Sequence, residues 1–129
     1  MRILGFNKRW PKLTLEVFTT FRFPRKDRDW EVGEKVQCVL HPRSKHREVL
    51  CNAEIIAKEP RWMRFFSTPS TPVGIPPVSD DEAEADGFSK SADGRGPREM
   101  MWCWLLGKYS PIRLCEEPMN KLTLKKVKP

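Results

Sequence analysis

The sequence predicts an α+β fold, a strand-rich body carrying two short helices, in a single domain spanning residues 1–129. Three observations lead there. Runs of β-branched and aromatic residues recur through the first half and again at the C-terminal end. Helix-start signals occur twice, both in the second half. The length suits one core, large enough to fold without a disulfide or metal staple.

The elements follow in chain order. Residues 3–6 form a short apolar segment. Leu13, Leu15 and Val17 then alternate with Thr14 and Glu16, and Phe18-Thr19-Thr20-Phe21-Arg22-Phe23 continues the run, giving one or two strands. A charged loop at 24–29 and a turn at 30–34 lead into a strand at 35–40. Across a basic loop at 41–47, a second strand at 48–57 completes an antiparallel hairpin, with Val49, Cys51, Ala53, Ile55 and Ala57 on one face. Residues 67–78 hold four of the twelve prolines and read as a Pro-rich mobile loop. Ser79-Asp80-Asp81-Glu82 has capping-box spacing and opens a short helix that Gly87 stops. Gly96-Pro97 starts a second helix, with Met101, Trp104, Leu105 and Lys108 on one face. Residues 121–127 alternate as a closing strand.

Composition narrows the function class. No apolar run reaches the ~18 residues of a membrane span, and the N-terminus lacks the apolar core of a secretory signal, so a cytoplasmic protein is expected. Cys38, Cys51, Cys103 and Cys115 stand apart, with no ligand-pair spacing to His41 or His46. They read as reduced, mostly buried thiols, and neither a metal nor a cofactor is expected. Residues 1–66 carry 15 Lys/Arg against 8 Asp/Glu, whereas residues 67–129 carry 9 of each. The whole net charge of +7 therefore lies in the first half, where it favours a polyanionic partner or simply a solvated basic face.

Within that half, Arg22 sits in a Phe- and Thr-rich strand, where its planar fork suits a phosphate or a base edge. Trp10 stands among Lys8, Arg9 and Lys12 and can stack a base or fill the core. Arg43, Lys45 and Arg47 form a loop cluster with no acid among them. Arg25 and Lys26 interleave with Asp27, leaving both ion pairing and phosphate contact open, and Arg61 extends the basic theme. Trp102 and Trp104 are read as helix core.

The order of these segments resembles the ASCH domain family of the PUA-like superfamily. It comprises the Thr-Phe-Arg strand, Trp30-Glu31-Val32-Gly33-Glu34-Lys35-Val36, Ala53-Glu54-Ile55-Ile56, residues 81–88, the Trp-rich helix and the last strand. The resemblance implies a PUA-like bent β-barrel flanked by short helices beside a cleft, and binding of RNA or modified nucleosides, with RNA preferred over DNA. In that family the Thr-x-Arg strand lines the cleft, which carries over to Thr20 and Arg22. Phosphate contacts would come from Lys12, Arg25, Lys26, Arg43, Lys45, Arg47 and Arg61. Some members hydrolyse acetylated cytidine, using a lysine three residues before that threonine and an acid on the Glu-Ala helix. Here those positions are Val17 and Asp86 or Glu84. Thr20 with Asp86 is then the pairing that a nucleoside hydrolase or nuclease could use, and an amine would have to reach the cleft from a loop, as from Lys12 or Lys26, which no sequence signal indicates. The balance favours binding over catalysis. A protein-interaction role through the Pro69–Pro72 segment, with no membrane contact, is the third reading.

Overall fold

The computed structural model describes residues 1–64 and 74–127. It is an α+β arrangement, with one five-stranded sheet and three short helices. The strands are β1 (Arg2–Phe6), β2 (Val17–Arg22), β3 (Lys35–Leu40), β4 (Glu48–Arg61) and β5 (Met119–Lys126), in spatial order β1-β3-β4-β5-β2. Among the strands of the described residues β1 and β3 run parallel and the other pairs antiparallel, with an isolated parallel bridge between Trp62 and Pro77.

The hairpin expected from the sequence is β3–β4, with Cys38 opposite Cys51. β4 runs four residues beyond its expected end, through Pro60, and bulges between Ile55 and Ala57. A second register shift, against β3 between Cys51 and Val49, breaks the single alternating face that residues 49–57 suggest: Ala53 and Ile55 are fully buried, whereas Val49 is half exposed. Gly33, at φ 90°, supplies the left-handed turn before β3, and Arg2 clamps that turn with two 2.5 Å hydrogen bonds from its guanidinium to Glu34.

The expected barrel is not closed. Among the described residues β1 pairs only with β3, and β2 only with β5, so the two edge strands do not meet. Between them the chain forms a 3-10 turn, Pro11–Thr14, in the region read from sequence as strand. Proline at its first position favours the turn, and Leu13 drops into the core beside Phe6 and Phe18. The gap between the sheet edges is thus filled by a side chain instead of backbone hydrogen bonds.

Two apolar cores result. One lies on the sheet and joins Leu4, Phe6, Val36, Ile55, Leu122 and Leu124. The other joins Phe21, Phe23 and Met119 to the helices α1 (Asp80–Asp86), α2 (Pro97–Leu106) and α3 (Pro111–Glu116) through Ala83, Met101, Leu105 and Leu114. The Ser79 capping box and the Gly87 stop of α1, and Pro97 at the start of α2, match the sequence signals. α3, not expected from the sequence, opens with Ser110 as N-cap and Pro111 at its first position, and its six residues are too few to show a helical period. The Pro-rich loop at 67–78 falls largely outside the described residues; its end, Val78, is buried and hydrogen-bonds to Trp62.

The four cysteines are free thiols. Cys38 is buried, and burial pushes its pKa up to about 12. Cys51 and Cys115 are half-buried, and Cys103, expected inside, is exposed because it lies on the outer face of α2. No helix among the described residues is long and apolar enough to cross a membrane.

Candidate functional site

A cleft of about 400 Å³ opens where the two cores meet, between the end of β1, the 3-10 turn, β2 and the helices. This volume lies within the range of about 300–1,000 Å³ common for small-ligand pockets. Four segments far apart in sequence supply its chemistry.

β2 contributes Thr20 and Arg22. Two-residue periodicity puts them on the same side of the strand, and Arg22 Nε donates to Thr20 Oγ1 at 3.3 Å. The guanidinium lies 4.9 Å from the Phe6 ring centre. No ion pair joins Arg22 to a carboxylate among the described residues. Burial is the first cause lowering its pKa, although an arginine keeps its charge at any working pH. Arg22 is half-buried, and the Asp86 carboxylate in the same cleft acts on its charge without forming an ion pair.

The 3-10 turn contributes Lys12, and the last turn of α1 contributes Asp86. Both are buried, at 6% and 8% exposure, and Lys12 Nζ donates to Asp86 Oδ1 at 2.5 Å. Burial lowers the lysine pKa and raises that of the aspartate, so both are drawn toward their neutral forms while the contact holds them together. Glu84, the other candidate acid, is exposed.

The walls are aromatic. Trp10 packs against Phe88 and Trp104 with ring centres 5.2 and 5.3 Å apart. Gly87 makes this possible. Its φ of 123° ends α1, and a Cβ there would stand 2.7 Å from Cε3 of Trp10. The face of α2 marked in the sequence by Met101, Trp104, Leu105 and Lys108 is the opposite wall. Trp104 is therefore not a core residue: it is 37% exposed at the cleft, while Trp102 packs against the helix core as expected. Lys108 lies 4.9 Å over the Trp104 ring, and burial, followed by the nearby Arg22 charge, lowers its pKa. With Lys12 and Asp86 compensating each other, Arg22 and Lys108 leave the cleft positive.

The other predicted residues lie elsewhere. Arg25 and Lys26 line a second depression that shares Arg22 and Tyr109 with the cleft. Arg43 lines a shallow hollow with Asn7 and His41, and Lys45 and Arg47 are exposed. Arg61 points into an ion-pair cluster with Glu82 and Glu59, which Lys121 joins, and does not line the cleft. Val17, the position where the resemblance wants a lysine, is 44% exposed on the edge strand. Lys12, five residues earlier, is the amine that meets Asp86 in the cleft. Sequence reasoning passed over Tyr109 and Phe88 as site residues. Phe88 carried a signal, because it follows the helix-stopping Gly87, and Tyr109 lies beside Lys108 in the turn that follows α2.

Among the described residues no group of three His, Cys, Asp or Glu side chains could hold a metal ion. Comparison of the chain with family models, with curated proteins and with solved structures found no match.

Proposed function

We propose that this protein binds RNA by holding one unstacked nucleotide in the cleft, as an open, PUA-like relative of the ASCH domain. The observation that carries the reading is Arg22, a half-buried cation that makes no ion pair among the described residues, in a pocket walled by Trp10, Phe88 and Trp104. A flat base with polar edges suits such a pocket. The rings offer stacking, Arg22 offers a planar fork of donors, and the Lys12–Asp86 pair offers one donor and one acceptor in fixed positions. A duplex does not suit it, because stacked bases present no free face to these walls. Fluorescence anisotropy with labelled single-stranded and duplex RNA and DNA at low salt tests the reading. Single-stranded RNA is expected to bind tightest. Absence of binding to every one of the four would end it.

A second reading, an amidohydrolase acting on acetylated cytidine, is favoured by one observation: the Lys12–Asp86 pair lines the same cleft as the Thr20 hydroxyl. In that chemistry Lys12, drawn toward its neutral amine, would take the proton from Thr20 or from a water attacking the acetyl carbonyl and return it to the departing cytidine nitrogen, releasing acetate and cytidine. Chromatography of acetylcytidine incubated with the protein separates the readings. Acetate release abolished by Thr20→Ala would establish hydrolysis, and an unchanged substrate would leave binding alone.

A further inference from the structure

The second depression extends the nucleotide reading and rests on it. It adjoins the cleft through Arg22 and Tyr109, which line both, and has a volume of about 440 Å³. Its other cations are Arg25, Lys26 and Arg113, and Asp27 is the one carboxylate lining it. Arg113 is held in place by ring contact, its guanidinium 4.0 Å from the Phe23 ring centre, while its 2.8 Å pair with Glu117 is half exposed. Arg25 makes a long 3.4 Å contact with Asp27, also exposed. Lys26 makes no ion pair among the described residues. Exposed pairs of this kind are worth about 0–1 kcal/mol, so a phosphate can replace either carboxylate with little loss. The floor includes Trp30, buried at 4% exposure, whose indole Nε1 has no hydrogen-bond partner among the described residues.

We infer that this depression is a phosphate subsite: it takes the phosphate attached to the nucleoside in the cleft, and the ligand is a phosphorylated nucleotide or strand, not a free nucleoside. Arg22 stands at the junction, able to bridge base and phosphate. The stacked Arg113 presents two fork donors, and Lys26 adds a mobile charge. The aromatic cleft with its buried ion pair has the character of a base subsite. The adjoining depression is more open and is lined by four cations against one carboxylate, as a phosphate requires.

The test is calorimetry with four probes: cytidine, cytidine 5′-monophosphate, cytidine 3′-monophosphate and an oligocytidine pentamer. Each is titrated into the native protein and into Lys26→Ala, Arg113→Gln and, as a control on an exposed lysine that lines neither depression, Lys90→Ala. A phosphate contact adds charge-assisted hydrogen bonds, so phosphorylated probes are expected to bind at least ~10-fold tighter than cytidine. That advantage should shrink by about 5–10-fold in the two subsite variants, with cytidine binding and the Lys90→Ala control unchanged. A preference for one monophosphate identifies a terminal phosphate; tight binding of the pentamer alone identifies an internal phosphodiester. Equal binding of cytidine and all three phosphorylated probes, unaffected by Lys26→Ala and Arg113→Gln, overturns the subsite and leaves the cleft reading intact. Failure of every probe removes both.

Discussion

The cleft and the β3–β4 hairpin tip are both basic, and they use positive charge in opposite ways. At the tip, Arg43, Lys45 and Arg47 are exposed and make no ion pair among the described residues. Nothing shapes the surface around them beyond a shallow hollow at Arg43. In the cleft, Lys12 is buried on a carboxylate, and Arg22 lies against Phe6 and within reach of Thr20. The tip holds charges that water screens over about 8–10 Å, adding attraction without selection. The cleft holds desolvated charges whose donors point in set directions, and direction is what recognises a ligand. Charge density along a sequence therefore marks where a polyanion is attracted, not where it is read.

Breaking the buried pair gives the largest expected effect. Lys12→Met leaves Asp86 buried beside an apolar chain and should lower unfolding free energy by about 3–5 kcal/mol in urea titration. Lys12→Met with Asp86→Leu should recover most of that loss. A Lys12→Met protein of native stability would mean that the pair is solvated, as the tip is. Asp86→Asn adds a pH signature. Burial holds the Lys12 pKa below its ordinary 10.5 in the folded state, and loss of Asp86, which raises it, lowers it further. Between that depressed value and 10.5 the unfolded chain carries the extra proton, so the melting temperature of Asp86→Asn should rise with pH across this window.

Arg22→Met is next. It should weaken binding of single-stranded RNA by ~100-fold, about 2.7 kcal/mol, with little change in stability. Trp104→Ala, which removes one wall without touching a charge, should cost about 1–3 kcal/mol of binding, read by the same anisotropy titration. The smallest effect belongs to the tip. Replacing Arg43, Lys45 and Arg47 together by alanine should weaken binding only several-fold at 150 mM salt and reduce the slope of log K against log salt by at most ~2. If the tip variant loses more affinity than Arg22→Met, the contrast between the two regions is reversed and the hairpin becomes the binding surface.

Much of this molecule could be read from local sequence. The β3–β4 hairpin, the closing strand, the Ser79 capping box, the Gly87 stop and the Pro97 helix start all depend on neighbours within a few residues. Backbone stereochemistry and hydrophobic period suffice to predict them. The α2 face of Met101, Trp104, Leu105 and Lys108 was equally legible, but its environment was not, since a helix period marks a shared face without saying whether core or cleft lies against it.

What the tertiary structure alone decided is which distant residues meet. Lys12 and Asp86 are 74 positions apart, and their contact depends on a 3-10 turn in a stretch whose apolar alternation reads as strand. The open sheet edge, the exposure of Trp104 and the capture of Arg61 by Glu82 are likewise products of packing. The sequence by itself determined the α+β class, most of the elements, the basic first half and the pairing of Thr20 with Arg22 on one strand. Long-range packing decided that Lys12 would be buried on Asp86 while Arg22 stayed half-buried without an ion pair of its own. Burial and distance are properties of the folded chain, and the strength of a charge depends on both.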